Sequence, residues 1–166
     1  MKQYSSVSRI SPYESRSYLS NWPTTSNWVC LNTDGLVWLD EGFAVDEGCV
    51  RDHNGEWIIG FARYLGNCTM LESELWGILD WLNLILDRRF ENILIQTDSI
   101  ETINAIMEGT LGNSNSTIVK RIHQTLKRVK QWEVQHIPKG DNLIANSLAN
   151  TVRTRKLGLR LFEDSL

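Results

Sequence analysis

The chain has 166 residues, 42% hydrophobic and 22% charged, with a net charge of −3. That is the length of one domain and the composition of a soluble globular protein, sufficient to bury a core without metal or disulfide staples. No run approaches the ~18 apolar residues needed to cross a bilayer, and the start, MKQYSSVSR, lacks the apolar stretch of a secretory signal.

Residues 1–26 hold eight serines, few large aliphatics and no usable periodicity, and read as a disordered tail. From Trp28 the chain becomes strand-like: WVCLNTDG, then GFAVDEGCVRD, the Asn54-Gly55 turn, and EWIIGFARYLG. Asn-Gly between two such runs is a strong hairpin signal, so an antiparallel meander of three strands is predicted. The rhythm then changes. Leu71, Leu75, Ile78, Leu79, Leu82, Ile85 and Leu86 follow the spacing of a helix with one apolar stripe, over residues 70–87. A strand at 92–97 follows, then a helix over roughly residues 99–108 and a polar link. A second amphipathic helix carries Ile118, Val119, Ile122, Leu126 and Val129 inward and Lys120, Arg121, Lys127 and Arg128 outward. The strand WEVQHIPK and a last helix, capped by Asp141 or Asn142, complete the unit. The order β-β-β-α-β-α-α-β-α implies an α/β fold. Its five-stranded mixed sheet has three antiparallel strands continuing into β-α-β crossovers, with helices on both faces. Residues 27–156 form the domain, and 157–166 read as a C-terminal tail.

Cys30, Cys49 and Cys68 are odd in number and far apart. They argue against a zinc site or disulfide framework and read as small buried hydrophobes in a reducing, intracellular compartment. Nucleus or cytoplasm fits, and an organelle is not excluded. Charge is distributed unevenly. Residues 27–110 carry 15 acidic against 4 basic side chains, and residues 117–160 carry 2 against 10. An acidic half facing a basic half can hold a cationic cofactor beside a polyanion, although two solvated helix faces would give the same counts.

Two strand endings repeat one another. VCLNTDG closes on Thr33-Asp34 and ILIQTDS on Thr97-Asp98. Ligands of open α/β sheets bind beyond the carboxyl ends of strands, so neighbouring strands would bring Asp34 and Asp98 together there. Two such carboxylates stay ionised only with something positive between them, and oxygen ligands of this hardness select Mg²⁺ or Mn²⁺. The helix at 70–87 offers a third. Glu72 and Glu74 flank its apolar stripe on opposite sides, each about 80° from the centre, and periodicity does not choose between them. Either also suits the helix dipole as a solvated first-turn glutamate.

The order of elements, with NTDG, SELWGIL, QTDS and the terminal N-x-x-A-N-x-L-A, resembles a type 1 ribonuclease H domain over about 130 residues from Trp28. More narrowly it resembles the plant branch found as stand-alone proteins and at the ends of retroelement polyproteins. The resemblance places the family's catalytic and metal-binding acids on Asp34, Glu74 and Asp98, which decides against Glu72. It implies cleavage of the RNA strand of an RNA–DNA hybrid with two Mg²⁺ or Mn²⁺ ions, by a monomer without membrane association. Nucleic-acid contacts are expected from Thr69, Lys120, Arg121, Lys127, Arg128, Lys139 and Asn142. Three departures stand out. The family's fourth acid position holds Asn146, which leaves a carbonyl oxygen but no charge for the metal. Met70-Leu71 replace the Asn residues that read RNA 2′-hydroxyls, with Thr69 retained. The extra basic helix that grips the hybrid in many cellular members is missing between Met107 and Ser116. His136 falls in the last strand rather than on a catalytic loop, and Trp28, Trp57, Trp76, Trp81 and Trp132 read as core or edge packing. A nucleic-acid-binding or interaction protein with impaired catalysis is the alternative. A nuclease of another reaction type on the same fold is a third reading.

Overall fold

The computed structural model describes residues 27–38, 40–112, 114, 116–139 and 160–162. Its strands are β1 (Trp28–Trp38), β2 (Phe43–Arg51), β3 (Trp57–Gly66), β4 (Asn92–Thr97), β5 (Gln131–His136) and β6 (Arg160–Phe162). Its helices are α1 (Met70–Asp87), α2 (Ile100–Thr110) and α3 (Thr117–Leu126). The strands lie in the order β5-β4-β1-β2-β3-β6. The pairs β1–β2 and β2–β3 are antiparallel, whereas β4 runs parallel to both β1 and β5. The expected five-stranded mixed sheet is thus present.

The hairpin between β2 and β3 forms where Asn54-Gly55 predicts it. Gly55 sits at φ 81°, and Asp52 Oδ1 accepts from the backbone N–H of Asn54 and of Glu56 at 2.9 Å each. β6 is a correction. Its three residues fall in the segment read as a C-terminal tail, yet they pair with Gly60–Ala62 of β3. A run of three carries no detectable alternation, and the open edge of β3 supplies the pairing.

α1 starts at Thr69, whose hydroxyl accepts from Glu72 N while the Glu72 carboxylate accepts from Thr69 N, a reciprocal capping box. Its stripe of Leu75, Ile78, Leu79, Leu82 and Ile85 is buried against β1 and β2. Each such side chain contributes roughly 1.5–3 kcal/mol of transfer free energy. Trp81 sits edge-on to Phe61 with centroids 4.8 Å apart and lies over Gly48, where a Cβ would come within 2.6 Å of its Nε1. α3 ends at Leu126, three residues short of the predicted stripe, although Val129 stays buried in the turn that follows.

Alternation along the strands sorts the side chains into two faces. Val29, Leu31, Val50, Ile59, Phe61, Ile93, Ile95, Trp132 and Val134 join the core beneath α1, α2 and α3, which touch one another and so share one face. Cys30 and Leu94 pack with Trp28 on the other face. Helices were expected on both faces, and the three described ones share one; the helix predicted from Asn142 lies outside the described residues, as do residues 1–26. Cys30 and Cys49 are buried as expected, but Cys68 is half-exposed beside the α1 N-terminus.

Candidate active site

The ladder between β1 and β4 ends at the pair Thr33–Thr97. The next residue on each strand is an aspartate, so Asp34 and Asp98 emerge side by side at the carboxyl edge. Glu74 reaches the same edge from α1, and a short-range feature of the sequence explains how. A Cβ on Gly35 would stand 2.8 Å from both Glu74 Cγ and Ser73 Oγ, so only glycine after Asp34 lets the helix approach this closely. Ser73 Oγ then ties the first turn of α1 to β2 by donating to the Val45 carbonyl at 3.0 Å.

Each of Asp34, Glu74 and Asp98 offers a carboxylate oxygen, and the three oxygens lie within 4.8 Å of one another. Asp34 and Glu74 are 4% and 3% exposed. Glu74 Oε2 accepts from Thr97 Oγ1 at 2.9 Å and from Thr102 Oγ1 at 3.2 Å, which aims it inward. Thr97 Oγ1 also accepts from Ser99 N, and Ser99 caps α2 through Thr102 N, so the turn carrying Asp98 and the Glu74 hydroxyl donors form one unit. In contrast, Oδ2 of Asp34 and Oδ2 of Asp98 are buried with no hydrogen-bond partner.

That arrangement disfavours ionisation. Burial and then the Asp98 charge push the Asp34 carboxyl up to about 7, against the opposing pull of Lys139 and of the Gly35 N–H. Burial lifts Glu74 to about 7 as well, with Asp34 and Asp98 adding to it and the threonine hydroxyls opposing. Asp98 is raised by burial, which Lys139 and His136 resist. Three crowded acids, two of them with an unpartnered buried oxygen, are the electrostatic inverse of a bound cation. An all-carboxylate donor set fits a hard divalent ion, Mg²⁺ or Mn²⁺, better than zinc.

A profile of the reverse transcriptase-like family matches residues 32–152, which span all three acids and the Asn146 position. The chain belongs to that family, as a ribonuclease H domain of the plant type. It is 31% identical over 140 residues to an Arabidopsis thaliana protein that carries the name "Putative ribonuclease H protein". The match covers 82% of this chain and 22% of that relative, so the chain spans about a fifth of the relative's length. Among solved structures, ribonuclease H1 of the archaeon Halobacterium salinarum superposes with a TM-score of 0.66 at 19% identity, covering 77% of this chain and 98% of that one. LC11 ribonuclease H1 in complex with an RNA/DNA hybrid gives 0.63 at 20% identity, covering 78% and 99%.

In this ribonuclease H domain the remaining expected residues divide into groups. Glu72 is exposed in the capping box, and Thr69 spends its hydroxyl there too, while both line a groove of about 650 Å³ with Val37, Asn67, Cys68 and Met70. Lys120, Lys127 and Arg128 are exposed on α3 and just after it. Arg121 is exposed as well, but its guanidinium lies over the Trp76 ring at 5.5 Å and braces α3 against α1. Lys139 is exposed and its charge acts on Asp34 and Asp98, which sets it with the acids rather than with the α3 bases. His136 Nε2 stands 3.1 Å from the Asp98 carbonyl, which can only accept, so that nitrogen carries the proton and the ring steadies the Asp98 backbone. Trp81 and Trp132 are core residues, whereas Trp28, Trp57 and Trp76 are half-buried. Asn142 and Asn146 lie outside the described residues.

Sequence reasoning did not single out Gly35, Ser73, Thr97 or Thr102. A signal existed for Thr97 in the repeated Thr-Asp ending and for Thr102 in its position four residues after Asp98 on a helix that starts there. It also passed over Asp46 on β2, which is 0% exposed with both carboxylate oxygens unpartnered. Burial, with Asp80 adding and Arg63 opposing, pushes its pKa well up, and it lies beneath α1, facing Gly77.

Proposed function

We propose that this domain is a metal-dependent endonuclease that hydrolyses the RNA strand of RNA–DNA hybrids. The observation that carries the reading is the Asp34–Glu74–Asp98 cluster, with carboxylate oxygens within 4.8 Å of one another, in which Asp34 and Asp98 each keep one buried oxygen without a hydrogen-bond partner. Two Mg²⁺ or Mn²⁺ ions held there would supply a nucleophilic water and neutralise the departing 3′ oxygen. The protein's part is positional. Asp34, which keeps one buried oxygen without a hydrogen-bond partner, would be a ligand to both ions. Thr97 and Thr102 hold Glu74, His136 steadies the Asp98 backbone, and Asn146 offers a carbonyl oxygen where a fourth acid would add charge. Lys139 stands where a phosphate would meet the acids. Lys120, Arg121, Lys127 and Arg128 supply a basic surface for the nucleic-acid backbone, with Thr69 and Asn142 as further contacts.

The match to the LC11 enzyme bound to an RNA/DNA hybrid supports this substrate class. We place the domain as a monomer, in the nucleus or cytoplasm. A second reading, a nucleic-acid-binding protein with impaired catalysis, is favoured by Asn146 and by Met70, which is 46% exposed at the α1 N-terminus and cannot hydrogen-bond a 2′-hydroxyl. Incubation with an end-labelled RNA–DNA hybrid at millimolar Mn²⁺, with and without EDTA, separates the two. The expected result is slow cleavage by the native protein, abolished by EDTA and accelerated by Asn146→Asp. No cleavage by either form establishes the second reading.

A further inference from the structure

On the face opposite α1, a row of polar side chains crosses four strands just behind the acids. Arg51 Nη2 donates to Asn32 Oδ1 at 2.7 Å, Asn32 Nδ2 donates to Gln96 Oε1 at 3.1 Å, and Gln96 Nε2 donates to Gln135 Oε1 at 2.7 Å. Cys30 Sγ adds a contact to Gln96 Oε1 at 3.1 Å. The three amides are buried. A guanidinium only donates, so Arg51 fixes the oxygen of Asn32 toward itself and turns its NH₂ toward Gln96. The same logic orients Gln96 and then Gln135. One cation on β2 thereby sets the direction of every amide out to β5.

The position of the row gives it a consequence. Asn32 lies two residues before Asp34 on the same face of β1, and Gln96 lies two before Asp98, which follows directly on β4. The backbone ladder between β1 and β4 stops at Thr33–Thr97. No β1–β4 ladder pair extends to the two aspartates, and their like charges push the strand ends apart. Two residues before them along both strands, the Asn32–Gln96 bond is a side-chain tie between β1 and β4.

The geometry points to Gln96 as a positioning residue: the relay anchored on Arg51 holds β1 and β4 at the spacing at which Asp34 and Asp98 share one divalent ion. This rests on the reading that the acid cluster binds metal, and it adds residues that do not touch the ion. Because amides at the hub can turn round, the relay distinguishes substitutions of similar size. Glu at position 96 still accepts from Asn32 and Cys30, and Gln135 can rotate to donate to it. Met at position 96 matches the length but leaves the Asn32 NH₂ and the Gln135 oxygen buried and unpaired.

Calorimetric titration of Mn²⁺ at pH 8, well below the melting temperature, tests this on the native protein, Gln96→Met, Gln96→Glu and Asp34→Asn. Gln96→Met should bind Mn²⁺ up to about tenfold more weakly, the low end of the effect of losing a group bonded directly to a ligand, since Gln96 acts one step further out. Gln96→Glu should bind at least as tightly as the native protein. A purely structural role lowers the melting temperature of Gln96→Met and leaves its Mn²⁺ affinity unchanged, and that result overturns the inference. So does equal weakening by Glu. If Gln96→Met does not fold, Gln135→Leu at the end of the relay should still weaken Mn²⁺ severalfold, and no change there also overturns it. A native protein that binds no Mn²⁺, or an Asp34→Asn variant that binds equally well, refutes the metal reading itself and removes the basis of this one.

Discussion

Replacing Asp34 by Asn should stabilise the metal-free domain, by an amount that grows with pH. The carboxyl rises from its ordinary 3.8 to about 7, chiefly through burial and then through Asp98. Asp34 is nearly inaccessible, so solvent screening does little to reduce the effect. At about 1.4 kcal/mol per tenfold change in acidity, full ionisation in the fold costs roughly 4 kcal/mol. The sign follows from linkage. A carboxyl whose pKa is raised by folding favours the folded state while it is protonated. That contribution is complete below pH 3.8 and is lost as pH rises to about 7. The Asn variant escapes the loss but buries an amide NH₂ whose desolvation costs about 1–3 kcal/mol. The net gain at pH 8 is therefore about 1–3 kcal/mol, or roughly 2–10 °C in melting temperature for a domain of this size. Near pH 4 the gain should vanish or reverse. Thermal unfolding in EDTA at pH 4, 5.5 and 8 measures it, and a shift independent of pH would refute the electrostatic argument. Millimolar Mn²⁺ should reverse the ranking at pH 8, because only the native protein keeps the shared ligand.

Other consequences follow from the same geometry. Gly35→Ala puts a methyl 2.8 Å from Glu74 Cγ and Ser73 Oγ and should destabilise the domain by about 1–3 kcal/mol while weakening metal binding, as read by unfolding and titration. Thr97→Val removes the hydroxyl that holds the Glu74 pKa down, so Glu74 should titrate still higher and hybrid cleavage should need a more alkaline pH. Asp46→Asn relieves a second buried acid and should raise the melting temperature at pH 8 with metal affinity unchanged. Hybrid binding should weaken steeply between low and high salt, and Lys127→Ala with Arg128→Ala should lower the slope of that dependence by about 1–2.

Periodicity was enough for α1, whose seven-residue apolar pattern gives the observed Met70–Asp87, and for β4, whose apolar run Ile93–Ile95 lies inside the observed Asn92–Thr97. The convergence of Asp34 and Asp98 was legible because two strand endings repeat a Thr-Asp pair and parallel neighbours align them. Periodicity did not choose between Glu72 and Glu74, since the two flank the stripe symmetrically, and only the resemblance around SELWGIL pointed to Glu74. What breaks that symmetry is the close approach of α1 at Gly35, a contact between distant parts of the chain. Asn32, Gln96 and Gln135 show the same limit. In alternating strands a buried amide looks like a solvent-facing one, and only the register of four strands lines them up with Arg51. Charge sign alone does not separate Lys139 from the bases of α3, and its position just after β5, where its charge acts on Asp34 and Asp98, follows only from the fold. The outward stripe of α3 does not reveal that Arg121 also covers the Trp76 ring, because that ring comes from α1.

The most direct test of the central claim is anomalous diffraction from crystals grown at pH 8 and soaked in Mn²⁺. The account predicts a manganese peak between the carboxylates of Asp34, Glu74 and Asp98, with oxygens at about 2.0–2.3 Å as hard octahedral ions require, and no such peak in Asp34→Asn crystals. A native crystal with no peak there, or with manganese bound only elsewhere, would contradict it.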